Sequence, residues 1–215
     1  MKLTSFFLIA LVVVGCNSQD KIPENFDYGK TENNVYRNEY FKFQVPVPAD
    51  WSVQNKEQTE QIMQRGREMM EDANKEFADK ISANNVRSAT LLTVFKYPVD
   101  SSAAEFNPSL MMVAENIKGA RGIDDGSDYL EQAKKLMLQS QMGYKVVAGF
   151  EKEKIDGREF HVMQAANSYG GMDDVKQLYY ATVDKGFALV TIISYTSKEQ
   201  ETELKAMLHK LKFDK

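Results

Sequence analysis

The chain of 215 residues has one cysteine and two histidines. A single cysteine cannot form an intramolecular disulfide, so the fold is not built on a disulfide framework. Neither His161 nor His209 has Cys, His, Asp or Glu at metal-ligand spacing around it, whereas a zinc site needs three or four such groups. The sequence therefore predicts no metal or other cofactor, and both histidines are interpreted as structural or surface residues.

The sequence also lacks an excess of positive charge and the local motifs of common enzymes. Its formal net charge is −4, and no Lys/Arg cluster interrupts the acidic balance, so a nucleic-acid partner is not expected. There is no P-loop, no G-x-G-x-x-G after a strand and no G-x-S-x-G elbow. We therefore expect a protein that is not an enzyme. A hydrophobic content of 43% is enough to build a globular core.

The N-terminus begins with a short apolar segment. Lys2 supplies a positive start, residues 6–14 are apolar and uncharged, and Gly15 and Cys16 follow. A membrane-spanning helix needs roughly 20 apolar residues, so this shorter run is typical of a secretory signal. We predict a signal peptide over residues 1–15.

The residues before the cysteine, Val13, Val14 and Gly15, resemble the lipobox of bacterial lipoproteins, although Leu is usual at the first of these positions and Ala or Ser at the second. That resemblance implies a lipid anchor on the sulfur of Cys16, cleavage before Cys16 and attachment to the cell envelope. By the lipoprotein sorting rule, Asn17 instead of Asp favours the outer membrane in a diderm host. The alternative is a plain secretory signal followed by an unpaired thiol, which exported proteins seldom keep.

Residues 16–34 are polar, contain Pro23 and Gly29, and show no helical or strand periodicity. They are predicted to form a flexible tether, because such a composition buries too little apolar surface to offset the cost of ordering. Residues 35–215 are predicted to form a single α+β domain, since no linker interrupts this part of the chain.

Hydrophobic periodicity predicts the elements of that domain. The stretch "YFKFQVPVPADW" alternates as a strand near a sheet edge, since Pro46 and Pro48 lie at its end. The other predicted elements are a long helix over about 57–82, strands over 88–99 and 109–117, a helix with a capping box at Asp128 and Glu131, a meander of strands at about 145–154, 158–168, 175–183 and 187–196, and a last helix that opens at Ser197 and Gln200.

The meander contains an Asp156-Gly157 turn, a Gly170-Gly171 loop and an Asp184-Lys185-Gly186 turn. Such short connections join antiparallel neighbours, and Asp-Gly favours the positive φ angles of a tight hairpin. The run "FALVTIISY" is apolar on both faces, which predicts the central strand of the sheet.

An opening with Phe41, Phe43, Pro46 and Trp51, the "IDGREF" hairpin, and a last apolar strand followed by a helix resemble the PsbP/Mog1-like superfamily over residues 36–213. The resemblance implies a central antiparallel β-sheet with helices on both faces, an α/β/α sandwich. It also implies a binding or assembly module, and it supplies no catalytic residues.

Two metal hypotheses are weaker than their structural alternatives. Asp124, Asp125 and Asp128 in one loop, and Asp173 and Asp174 in another, could bind Ca²⁺. Their spacing is not that of an EF-hand, and helix capping already explains acids at such a position.

A copper hypothesis rests on the thioethers of Met69 with Met70 and of Met111 with Met112. These methionines occupy apolar positions of predicted helices and strands, where Met fills the core.

The sequence thus favours a lipid-anchored envelope protein that acts as a non-catalytic binding or assembly module, with an envelope protein as its expected partner. The alternative is a carrier of a small apolar ligand or lipid, suggested by the aromatic and Met-rich stretches. A third hypothesis, an enzyme with an unusual site, would rest on His161 and nearby carboxylates.

Overall fold

The computed structural model describes residues 21–82, 87–99, 106–167 and 174–214. The predicted signal peptide and Cys16 lie outside these residues, as do Asp173 and the predicted Gly170-Gly171 loop. Cleavage and lipidation therefore stay predictions. In the part of the chain that is described, no helix is long and apolar enough to span a bilayer.

Antiparallel strands and amphipathic helices make up the described residues. The strands are Lys30–Glu32 (β1), Val35–Asn38 (β2), Phe43–Pro46 (β3), Ser52–Val53 (β4), Ser88–Phe95 (β5), Ser109–Asn116 (β6), Tyr144–Val146 (β7), Glu151–Ile155 (β8), Arg158–Asn167 (β9), Val175–Asp184 (β10), Phe187–Tyr195 (β11) and Lys212–Phe213 (β12). The helices are Lys56–Ala73 (α1), Lys75–Ser82 (α2), Gly126–Gln139 (α3) and Lys198–Leu208 (α4). This confirms the predicted α+β class.

The main sheet has the strand order β4-β5-β6-β11-β10-β9-β7, with β8 also paired to β9, and all of its pairs are antiparallel. Strand β11, the "FALVTIISY" run, lies at the centre and is buried along its whole length. The Asp156-Gly157 turn has φ angles of 49° and 83°, and Lys185 and Gly186 have 53° and 78°. The central strand and the two tight turns are confirmed.

Helices cover both faces of the main sheet, as the α/β/α prediction requires. On one face, α4 packs through Leu204 and Leu208 against Leu110 and Ile193 of the sheet. The opposite face is covered by α1, α2 and α3, with Leu130 of α3 at less than 1% exposure. The predicted capping box of the last helix is also present, because Ser197 and Gln200 bond each other's backbone N–H.

A second sheet of four strands, in the order β1-β2-β3-β12, lies on the α4 side of the molecule. The predicted alternation of β3 and its flanks is confirmed, since Phe43 and Val45 are buried and Lys42 is exposed. Its predicted place near the edge of the sheet is wrong, because β3 lies between β2 and β12. Strand β12 pairs with only two residues of β3, Phe43 and Gln44. At Pro46, β3 has a described strand partner on the β2 side alone, which suits a residue without an N–H.

Part of the predicted tether is packed on the domain. The ring of Phe26 is 8% exposed and contacts the rings of Phe41 and Phe187. The carboxylate of Asp27 accepts backbone N–H bonds from Gly29 at 2.7 Å and from Glu39 at 2.7 Å. The tether prediction is therefore wrong for this part of residues 16–34, because one aromatic ring and one carboxylate supply enough contacts to order a polar segment.

Two helix boundaries also differ from the predictions. The predicted helix over 57–82 is divided at Asn74, whose backbone leaves helical geometry (φ −159°, ψ 90°) and whose side chain accepts the N–H of Phe77 at 3.1 Å, at the start of α2. Helix α3 is capped by Asp125, with its capping box closed by Asp128. The predicted start is thus three residues too late, because Asp128 occupies the third helical position rather than the cap.

Candidate functional site

A cleft with a volume of about 880 Å³ lies among the described residues. It is lined by β1 and the residues just before it, β4 and the residues after it, helix α1, and strand β5. One wall therefore comes from the second sheet, another from a helix, and the third from the main sheet. Its lining is mixed, with Trp51, Met63 and Leu91 beside amide, hydroxyl and charged side chains.

The cleft exists because the chain leaves the edge of the main sheet early. Strand β4 pairs with β5 only at Phe95 and Val94, and the N–H of Gln54 then bonds the carbonyl of Thr93 at 2.9 Å. Asn55 follows at once as the N-cap of α1, with a capping box that turns the backbone into the helix.

As a consequence, the outer edge of β5 is not covered by a neighbouring strand from Ser88 to Leu92 within the described residues. Its inner edge is paired with β6, with a β-bulge between Thr90 and Leu92. Ser88, Thr90, Leu91 and Leu92 all line the cleft. A free strand edge thus borders the cavity.

Three polar atoms of the cleft lining are buried without a hydrogen-bond partner: Gln54 Oε1, Ser88 Oγ and Thr93 Oγ1. The Gln54 side chain is 7% exposed, and its Nε2 donates to Ser52 at 2.9–3.0 Å, which fixes the amide and leaves Oε1 unused. A buried polar atom without a partner costs about 1–3 kcal/mol. The three atoms lie beneath the surface of the cleft wall, with less than 1 Å² of exposed area each.

The charge of the cleft is opposite in sign to that of the whole chain. Lys30, Lys56 and Arg67 line it together with one carboxylate, Glu60. Lys56 lies 3.9 Å from Glu60, and the guanidinium of Arg67 donates to the neutral amide of Gln64 at 2.6 Å. Because Glu32 pairs with Lys30 at 3.1 Å from outside the lining, the described cleft keeps a small excess of positive charge, which favours an acidic ligand.

The wall formed by the second sheet is held in place by a buried hydrogen bond. The hydroxyl of Tyr36 donates to the carbonyl of Tyr28 at 2.8 Å, and burial raises the pKa of this hydroxyl far above its ordinary range. Gly29 has a φ of 72°, and a Cβ there would lie 2.3 Å from the Tyr36 oxygen. Glycine is therefore required where this wall meets the buried tyrosine.

His161 lies away from the cleft, on β9, which is separated from β5 by β6, β11 and β10, or about 19 Å at ordinary strand spacing. It is 7% exposed and lies against Gly126 at the start of α3. The nearby carboxylate of Asp125 has a lowered pKa, mainly because the Ser127 hydroxyl bonds it, with a smaller contribution from His161. His209 contacts Glu153 on another surface.

The structure gives Asp125 and Asp128 a structural role and separates Met111 from Met112. The carboxylates of Asp125 and Asp128 accept backbone N–H bonds at the start of α3, at 2.7–3.3 Å. Met111 and Met112 pack on opposite faces of β6, so they do not share one site. Among the residues described, no three His, Cys, Asp or Glu side chains are grouped as a metal site would need.

The cleft itself was not predicted from the sequence. The one local signal that could have located it is the Asn55–Gln58 capping box directly after a strand, since it shows where the chain leaves the sheet. The second sheet that closes the cleft contains β1 and β12, which are far apart in the chain, and no local pattern shows that they belong to one sheet.

No protein-family model and no curated protein matches this sequence. In structure the chain is similar to LpqN of Mycobacterium tuberculosis, described as involved in cell envelope biogenesis, with 13% identity, a TM-score of 0.43, and coverage of 80% of this chain and 83% of LpqN. It is also similar to cyanobacterial PsbP from Synechocystis, with 11% identity, a TM-score of 0.49, and coverage of 86% and 98%. Both similarities are too weak to carry a functional argument, so the fold class rests on the sheets and helices described above.

Proposed function

We propose that this protein is a lipid-anchored envelope protein whose domain is a non-catalytic binding module, and that its binding site is the cleft between α1 and β5. The observation that carries the proposal is the cleft of about 880 Å³ whose lining combines Trp51, Met63 and Leu91 with hydroxyl, amide and charged side chains. Pockets that bind ligands combine apolar surface with a few placed polar groups, which is the composition of this cleft.

The side chains of the cleft support binding rather than catalysis. Its described lining contains no histidine or cysteine, and its carboxylate, Glu60, has a lysine as its neighbour. General acid–base catalysis and nucleophilic catalysis both need a positioned titratable group or an activated nucleophile. His161, the candidate for a third functional class, lies several strands away.

The anchoring part of the proposal rests on the lipobox-like residues before Cys16. With Phe26 packed on the core, at most ten residues separate the lipidated position from the folded domain. At about 3.5 Å per extended residue, the distance between the lipidated residue and the folded domain is at most about 35 Å. This is roughly half of the distance that a tether over residues 16–34 would allow. The domain would therefore act on a partner close to the membrane surface, and we propose that this partner is an envelope protein.

The alternative of an apolar-ligand carrier receives less support from the structure. The aromatic side chains that suggested it, including Phe41 and Phe43, are packed in the core rather than around a cavity. Trp51 and Leu92 do reach the cleft, but hydroxyl, amide and charged side chains surround them there. A purely apolar ligand would leave these polar groups without partners.

A bulky side chain in the cleft should block binding. Thr59 lines the cleft on α1, and we expect Thr59→Trp to reduce recovery of the partner by about tenfold or more when the full chain is affinity-purified from crosslinked host cells. The matched control is Thr202→Trp, at an exposed position of α4 on the other face of the main sheet. Equal recovery with both variants, or no reproducible partner with the unmodified chain, would contradict the proposal.

A further inference from the structure

The outer edge of β5 is the feature of the cleft that identifies a ligand class. Between Ser88 and Leu92 no described strand pairs with this edge. Strand β4 and the first turn of α1 line the same cleft but do not cover it. A strand edge carries backbone N–H and C=O groups that are ready to pair with another chain. Proteins commonly blunt such an edge or use it for recognition.

The walls on either side of this edge leave room for an extended peptide. Helix α1 forms one side through Thr59 and Met63, and the free edge of β1 forms the other through Lys30 and Thr31. A peptide segment between these two walls would be shielded from water on both sides. In strand addition of this kind, hydrogen bonds between the main chains give affinity, and pockets for the side chains give specificity. The β-bulge at Leu91 interrupts the regular ladder, so the paired stretch would be short.

We infer that the cleft binds an extended peptide segment of an envelope protein by adding it as a strand to the outer edge of β5, and that acidic residues in the segment are bound by Lys56 and Arg67. This inference rests on the proposed function and specifies its ligand. Acidic character follows from the cationic lining of the cleft, in a chain whose formal net charge is −4.

The probe is a library of N-acetylated peptides of about ten residues, the upper range of strand length, each with two glutamates, screened against the full chain purified in mild detergent. We expect selected peptides to slow amide hydrogen exchange in residues 88–92. Methylation of the peptide backbone nitrogens at every second residue should weaken binding by about tenfold or more, whereas methylation at the intervening residues should have little effect. Uniform sensitivity to methylation, protection elsewhere, or the absence of any selected peptide would overturn the inference.

A second arm tests the charge assignment. The double variant Lys56→Gln, Arg67→Gln should bind the acidic peptides several-fold more weakly. Its affinity for the same peptides with Gln in place of Glu should be unchanged. The matched control is Lys75→Gln, because Lys75 also lies near an acid four residues on, Asp79 at 3.3 Å, but is outside the cleft lining. Equal losses with the double variant and with the control would overturn the role of Lys56 and Arg67.

The two levels of the proposal can fail separately. If no peptide is selected but Thr59→Trp still reduces partner recovery, strand addition is wrong and the cleft remains a binding site for another kind of ligand. If Thr59→Trp has no effect while peptides protect residues 88–92, the peptide is bound but the assigned partner function is wrong. Failure of both experiments removes the cleft as a binding site.

Discussion

Cys16→Ser is expected to abolish lipid attachment completely and to leave the uncleaved precursor in the membrane fraction. A serine hydroxyl cannot take the place of the thiol that forms the thioether, and by resemblance to bacterial lipoproteins the cleavage before position 16 follows lipid transfer. The measurement is incorporation of labelled palmitate, together with the mass of the N-terminal fragment.

The physical consequence of losing the anchor is large. Each buried CH₂ contributes roughly 0.8 kcal/mol, and two or more acyl chains hold a protein on a bilayer far more firmly than one. Ser18→Ala, two residues further along, is the control and should be labelled and cleaved normally. Lipid label that persists in Cys16→Ser would contradict the lipoprotein assignment and leave the alternative of a plain secretory signal.

Gly126→Ala is expected to destabilise the domain by roughly 3 kcal/mol, because the added methyl group meets backbone that is held in the sheet. Gly126 is the first residue of α3, and a Cβ there would lie 2.1 Å from the carbonyl oxygen of Ala181. Ala181 belongs to β10, which is paired on both sides, so its backbone cannot move away without breaking the sheet. Urea titration of the free energy of unfolding measures the effect.

Gly143→Ala is the control for this substitution. Gly143 has a φ of 74° but no atom within 4 Å of a new Cβ, so its replacement should cost only about 1 kcal/mol of backbone strain. Since Gly143→Ala carries positive-φ strain that Gly126→Ala does not, a larger loss at Gly126 reports the close contact between α3 and β10. Equal losses of stability would contradict the account of how α3 is seated on the sheet.

Local chemistry predicted those parts of the fold that depend on near neighbours. The Asp156-Gly157 turn needs two positive φ angles, and the Ser197–Gln200 capping box needs a residue pair three apart, so both are visible in the sequence. Strand β11 was predicted because burial on both faces leaves an unbroken apolar run.

The remaining features depend on contacts between distant parts of the chain. Phe26 lies in a polar segment, and only its packing against Phe41 and Phe187 shows that the segment is folded. The division of the predicted helix over 57–82 at Asn74 could not be predicted from a hydrophobic stripe that continues through both halves. The cleft arises where two sheets and α1 meet, so no single stretch of sequence marks it.

We expect the domain, held by its proposed lipid anchor, to bind its ligand in the cleft between α1 and β5. The most direct measurement is photocrosslinking in living host cells, with a photoreactive amino acid at Thr31 in the cleft wall or at Thr202 on α4. The account predicts a discrete crosslinked product at Thr31, absent at Thr202 and lost when Thr59→Trp is added. The same product at both positions, or none at Thr31, would contradict it.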